Sequence, residues 1–258
     1  MSEKDAKYMS KIDMEGGVAD DAVLVVGIAN AGLVGNISSD YIIDKLQMKE
    51  IGYMNCTKFP PVAVFLDGKV KHPFRLYADS TTNPAKRLVA VSEVPLQKES
   101  LHDLAHALMD HVSGLGVTTV VTLIGILVDI VDEIVVLYAS DDGMKSRLDE
   151  IESIKPIPKG MTFGMEALIL NEAIERDING LALIAPVQKH IPATGSAAKL
   201  IEALNEIFPF FNIDVEDLLE RDEQIKSKLQ ELAEQIRNQQ NKMSNKQQQG
   251  PPASTIFT

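Results

Sequence analysis

Three sets of residues in this 258-residue chain have types and spacings that could carry chemistry. The first is the stretch Gly27-Ile28-Ala29-Asn30-Ala31-Gly32-Leu33-Val34-Gly35, which follows the apolar run Ala22–Ile28. A glycine-rich turn between a strand and a helix presents free backbone N–H groups and the positive end of a helix dipole. Gly27, Asn30, Gly32 and Gly35 therefore form a candidate loop for an anion or small ligand. Leu33 and Val34 stand where a Walker A loop needs Lys and Ser or Thr, and Ala29 stands where a dinucleotide fingerprint needs its second glycine, so a nucleotide is disfavoured. The competing role for the same glycines is a tight turn that lets strand and helix pack closely.

The second set is histidine. His102 and His106 lie one helical turn apart and His111 follows five residues later, a spacing that lets two imidazoles share a metal. The sequence between them, His-Asp-Leu-Ala-His, lacks the glutamate of the metalloprotease pattern, and no third ligand is evident, so a solvated helix face is expected and no metal is assigned. The third set is acidic: Asp129, Asp132 and Glu133 follow the β-branched run Val117–Leu127, at the edge where α/β sites gather, and could hold Mg²⁺ or polarise a hydroxyl. Solvation of a helix start is the favoured role for them. No Gly-x-Ser-x-Gly elbow occurs, and Cys56 has no histidine near it in sequence, so no catalytic residue is assigned.

The elements that must position these groups alternate. Short apolar runs at Ala22–Ile28, Leu88–Val94, Val117–Leu127 and Gly180–Pro186 read as buried strands. Helical spacings follow at Ser38–Leu46, Ser100–Leu115 (Ser100 as N-cap), Met144–Ile151, Met165–Arg176 and Ser196–Phe208. Weaker strands are expected at Glu50–Met54, Val62–Leu66, Arg75–Ala78 and Glu133–Ala139. Asp67-Gly68 is a hairpin signal. The pattern predicts a three-layer α/β sandwich around a mostly parallel sheet, made mixed by that hairpin.

Residues 1–21 read as a polar lead, 22–214 as the α/β core, 215–243 as a C-terminal amphipathic helix and 244–258 as a disordered tether. The helix rests on Leu218, Ile225, Leu229, Leu232, Ile236 and Met243, a stripe that suits either its own domain or a second subunit. The tether is Gln-, Pro- and Ser-rich and ends on Ile256-Phe257-Thr258, two apolar anchors and a carboxylate suited to a partner's pocket.

Composition narrows the class. Hydrophobic residues make up 45% and charged residues 24%, an ordinary globular mix. A net charge of −12 repels nucleic acid and anionic membranes. The longest apolar runs are too short to span a bilayer, and a single cysteine fits a reducing compartment, so a cytoplasmic location is expected.

Taken together, Val25–Gly35, the Pro60-Pro61-Val62-Ala63-Val64 … Asp67-Gly68-Lys69-Val70 … His72-Pro73 series, and Gly116–Gly125 resemble the proteasome assembly chaperone family in its archaeal branch, over Ala22 to about Phe211. The resemblance implies a core like that of purine nucleoside phosphorylases, a homo-oligomer, and action on the 20S proteasome without chemistry; with no Walker motif, ATP independence and no cofactor are expected. Some relatives end in a hydrophobic residue, a tyrosine and any residue, which insert between adjacent α-subunits of the proteasome ring, where the carboxylate pairs with a lysine. Ile256, Phe257 and Thr258 match those positions, with Phe in place of Tyr. The resemblance thus implies an assembly chaperone or activator docked by its tails. The rival is an enzyme resembling nucleoside hydrolases or phosphorylases, with Gly27–Gly35 holding an anion and Asp129 or Asp132 a sugar hydroxyl.

Overall fold

A computed structural model describes residues 6–10, 17–59, 61–131, 133–225 and 227–228. Its centre is a sheet with strand order β1-β3-β6-β7-β2-β8-β11-β9-β10. These are β1 (Ala6–Ser10), β2 (Val18–Ile28), β3 (Lys49–Cys56), β6 (Phe74–Ala78), β7 (Ala85–Ser92), β8 (Val117–Val128), β9 (Val136–Ser140), β10 (Ile154–Pro156) and β11 (Asn179–Gln188). The middle four, β7, β2, β8 and β11, run parallel, and β1, β3, β6 and β9 supply antiparallel pairs around them.

Two helical layers cover the sheet, and residue alternation along the strands assigns each layer its core. Val23 and Val25 in β2, Val121 and Leu123 in β8, and Leu181 and Leu183 in β11 join the cluster formed with α1 (Val34–Lys45), α3 (Asp142–Leu148) and α5 (Thr194–Ile207). Leu24, Val26 and Val120 point to the opposite cluster with α2 (Leu101–Gly114) and α4 (Met165–Glu175). Burial on both faces is why the central strands read as unbroken apolar runs.

Several expectations change in detail. The hairpin at Asp67-Gly68 forms, with both residues at positive φ (49° and 72°), as a two-residue turn of this kind requires. Its strands, β4 (Val64–Leu66) and β5 (Lys69–Lys71), make a separate two-stranded sheet and do not enter the main one. The mixing comes from the sheet's outer strands. One of these, β1, together with the start of β2, lies in the polar lead, where Tyr8 pairs with Met54 of β3. Ser100 precedes α2 but makes no side-chain cap; its hydroxyl donates to the Gln97 carbonyl at 2.8 Å, a local bond that competes with capping.

The start of the C-terminal segment packs on its own domain. Residues 216–225 are helical; Leu218 is buried in the core, Lys45 of α1 bonds Asp217 at 2.6 Å, and an Asp222 oxygen accepts from Thr194 Oγ1 and Gly195 N at the N-terminus of α5, both at 2.9 Å. The rest of the expected helix and the tether, with Ile256, Phe257 and Thr258, lie outside the described residues.

Candidate functional site

The glycine-rich loop lies at the carboxyl edge of the central strands, where it leaves β2, makes one 3-10 turn at Ala31–Leu33 and enters α1. Its glycines are sites of close approach. A Cβ on Gly27 would lie 2.0 Å from Ser39 Oγ and 2.2 Å from the Gly35 carbonyl oxygen, and one on Gly35 would lie 2.9 Å from the Ile28 carbonyl oxygen. Gly32 has φ +64°, and a Cβ there would lie 2.9 Å from Val187 Cβ. Strand and helix thus meet backbone to backbone, the packing role that competes with ligand binding. Gly27→Ala is expected to destabilise the fold by about 3 kcal/mol, at the upper end of overpacking costs, read as a lower urea midpoint with unchanged slope.

Asn30 clasps this loop to two other elements. Its Nδ2 donates to the Leu123 carbonyl of β8 at 2.9 Å and to Glu166 Oε1 in the first turn of α4 at 3.1 Å. Among the described residues its Oδ1 is buried with no hydrogen-bond partner. Glu166 is buried, and burial pushes its carboxyl above the usual range, against the opposing hydrogen bonds from its own backbone and Asn30. A raised acid pKa means that the folded state holds the proton more tightly than the unfolded chain, so this carboxyl loses stabilising effect as pH rises. Glu166→Gln keeps an acceptor for Asn30 and removes the buried charge. Its melting temperature is expected to exceed that of the unsubstituted protein at pH 8, and the difference to vanish below about pH 4.5, the unfolded-state value.

The other sequence candidates do not converge. His102 is exposed. His106 sits in an ion network with Asp110, Glu172 and Arg176 that ties α2 to α4. His111 stacks on Tyr8 at 3.5 Å, and burial lowers its pKa. Asp129 and Glu133 are exposed past the end of β8, and Asp132 lies outside the described residues. Cys56 is buried and free. Among the described residues no group of three or more His, Cys, Asp or Glu side chains is placed to hold a metal, and no helix is long and apolar enough to cross a membrane.

Two surface features were not legible in sequence. Beneath the β4–β5 hairpin lies an open cavity of about 520 Å³ walled by Tyr53, Phe59 and His72, with the Lys71–Glu50 ion pair at its side. His72 stacks on Tyr53 at 4.7 Å, and its Nδ1 accepts from Phe74 N at 3.4 Å. At the carboxyl edge, Leu33, Ile126, Leu127, Ile130, Met161 and Phe163 are exposed apolar side chains. Their exposure follows from tertiary placement, which periodicity does not report.

The geometry defines a class: an α/β sandwich whose carboxyl edge is closed by backbone packing and rimmed by apolar side chains. The PAC2 family matches residues 24–233, and the chain belongs to that family. It is similar to a Thermoplasma acidophilum protein of unknown function, with 29% identity, TM-score 0.71, and 87% of this chain and 90% of that one covered. It is also similar in fold to Pyrococcus furiosus PbaA, described as an archaeal homolog of proteasome-assembly chaperone, at 23% identity and TM-score 0.79, with 93% and 97% covered. Pyrococcus furiosus PbaB, described as an archaeal proteasome activator, matches at 19% identity and TM-score 0.75, with 90% and 100% covered.

Proposed function

We propose that this protein is a cytoplasmic, homo-oligomeric, ATP-independent chaperone or activator of the 20S proteasome, docked on the α-subunits through Ile256, Phe257 and Thr258. The observation that carries the reading is membership of the PAC2 family across residues 24–233, joined to a fold shared with PbaA and PbaB over nearly their whole lengths. The core supplies a platform, and the C-terminal segment from residue 215 presents the anchors. Several tails on one oligomer multiply a weak contact through effective concentration. Nucleotide has no role in such docking, since the Gly27–Gly35 loop has Leu33 and Val34 where a phosphate loop needs Lys and Ser or Thr.

The test is peptidase activity and native-gel migration of archaeal 20S proteasome mixed with the purified protein in nucleotide-free buffer. Stimulation or co-migration supports the reading, and neither at micromolar concentration overturns it. The loop at Gly27, Asn30, Gly32 and Gly35 is the place in the core for a small ligand, and the unpartnered Asn30 Oδ1 is what supports a ligand there. Thermal shift with nucleosides and ribose phosphates tests that second reading, and a flat screen removes it.

A further inference from the structure

The cavity beneath the β4–β5 hairpin is a second place for a ligand, and tail docking gives it no part. Its walls come from elements that meet only in the fold: Glu50 and Tyr53 of β3, and Val62, Val70, Lys71 and His72 in and around the hairpin. Its volume of about 520 Å³ falls within the range of small-molecule sites, roughly 300–1,000 Å³.

β3 is bent to make this wall. Glu50 pairs with Tyr77 of β6 and Gly52 with Leu76, so Ile51 is an extra residue in the ladder, a bulge that re-aims the side chains around it. In a regular strand positions 50 and 53 point to opposite faces. Here Ile51 and Met54 both enter the core shared with α2 and α4, while Glu50 and Tyr53 both line the cavity. The bulge thus sets a carboxylate beside an aromatic ring.

One part of the wall is aromatic and another is charged. His72 stacks on Tyr53 at 4.7 Å and meets the Phe59 ring edge-on at 5.0 Å. Burial lowers the His72 pKa, so the ring is neutral at pH 7, and because Nδ1 accepts from Phe74 N its proton sits on Nε2. Lys71 Nζ pairs with Glu50 Oε2, and their side chains are 20% and 9% exposed. A sheltered pair like this is seldom worth more to folding than apolar side chains of similar volume, so its place in an otherwise aromatic and aliphatic wall points to recognition. Phe65 and Val70 are direct cross-strand partners and share one face of the hairpin. Val70 lines the cavity, and the two are left 74% and 70% exposed.

We propose that this cavity binds a free aromatic α-amino acid, its ring against Tyr53, Phe59 and His72, its carboxylate accepting from Lys71 and its ammonium donating to Glu50. Charge selects this occupant. A contact ion pair presents a cation and an anion side by side, and an α-amino acid carries the two opposite charges on one carbon. An anion alone would meet Glu50 as well as Lys71, and a cation alone would meet Lys71 as well as Glu50. Tail docking and this site can fail independently.

The chain contains no Trp, so the indole emission of L-tryptophan reports the ligand alone. Titrating the full chain into L-tryptophan is expected to shift that emission to the blue with a submillimolar Kd, and L-phenylalanine and L-tyrosine are expected to compete. Tryptamine, which lacks the carboxylate, and indole-3-propionate, which lacks the ammonium, are expected to bind at least about tenfold more weakly, as is L-tryptophan to Lys71→Met or Glu50→Gln. No saturable shift at millimolar protein overturns the proposal, and so does equal binding of tryptamine or indole-3-propionate. Binding of a tryptophan peptide blocked at both ends, with none of the free amino acid, makes the cavity a protein-docking site and overturns it too. Should the variants misfold, amide exchange of the intact protein decides: L-tryptophan is expected to raise the protection of residues 69–72, and unchanged exchange there overturns the assignment.

Discussion

A chain ending at Ser254 is expected to lose binding to archaeal 20S proteasome by at least a hundredfold while keeping its oligomeric mass and melting temperature. Burying Ile256 and Phe257 in a partner's pocket contributes about 1.5–3 kcal/mol per side chain. On the proposed reading a single tail would be a weak ligand, and an oligomer would convert several weak contacts into one durable one. Removing the anchors would then remove every such contact at once, which makes the expected loss larger than any single-tail estimate. Phe257→Ala is expected to behave almost as the truncation does, since the aromatic ring supplies the larger area. Phe257→Tyr is expected to bind several-fold tighter, because the family resemblance places a tyrosine there and one added hydrogen bond is worth about 1 kcal/mol. Biolayer interferometry on immobilised proteasome, with light scattering on the same samples, reads all three.

The second large effect concerns the core. Arg87 in β7 and Asp79 after β6 form an ion pair whose side chains are 10% and 0% exposed. Arg87 Nε donates to Asp79 Oδ2 at 2.8 Å, Nη2 to Thr81 Oγ1 at 2.9 Å, and Nη1 to the carbonyls of Phe210 at 3.0 Å and Phe211 at 3.3 Å. The guanidinium thus fastens the chain after α5 to the sheet. Arg87→Met strands a buried carboxylate and two carbonyls, and is expected to cost about 3–5 kcal/mol. Adding Asp79→Asn is expected to return part of that loss, because the stranded charge is gone; a double-mutant cycle from urea midpoints measures the coupling.

The same pair has a pH signature. Burial acts to raise the Asp79 carboxyl, but hydrogen bonds from Thr81 and Arg87 outweigh it and hold the group below the usual carboxylate range. Its contribution is therefore complete above the unfolded value of 3.8 and is lost as pH falls through the lower folded value. Arg87→Met should show a shallower loss of stability in acid than the unsubstituted protein.

The central strands β2, β7, β8 and β11 were legible because burial on both faces leaves a continuous apolar run that needs no neighbour to interpret. The strand β1 was not: Lys7 and Tyr8 are individually unremarkable, and their strand exists because β3 offers an antiparallel edge. Asp67-Gly68 was legible as a turn, since Gly adopts and Asp tolerates positive φ, but the sheet its strands join is set by contacts distant in sequence. Glycine spacing marked the loop at Gly27–Gly35, yet Glu166, which closes it from 136 positions away, carried no local signal. The exposed Ile126 and Leu127 escaped because they belong to a run that reads as core throughout, although both lie past the last β2–β8 pair and reach solvent.

Tail docking on the proteasome is decided by sedimentation velocity of fluorescently labelled intact protein with archaeal 20S proteasome in nucleotide-free buffer. Label is expected to move with the proteasome boundary for the intact chain and to stay in the slow boundary for the chain ending at Ser254. Label that remains slow with the intact chain, or that moves with the proteasome equally well without Ile256, Phe257 and Thr258, rules tail docking out.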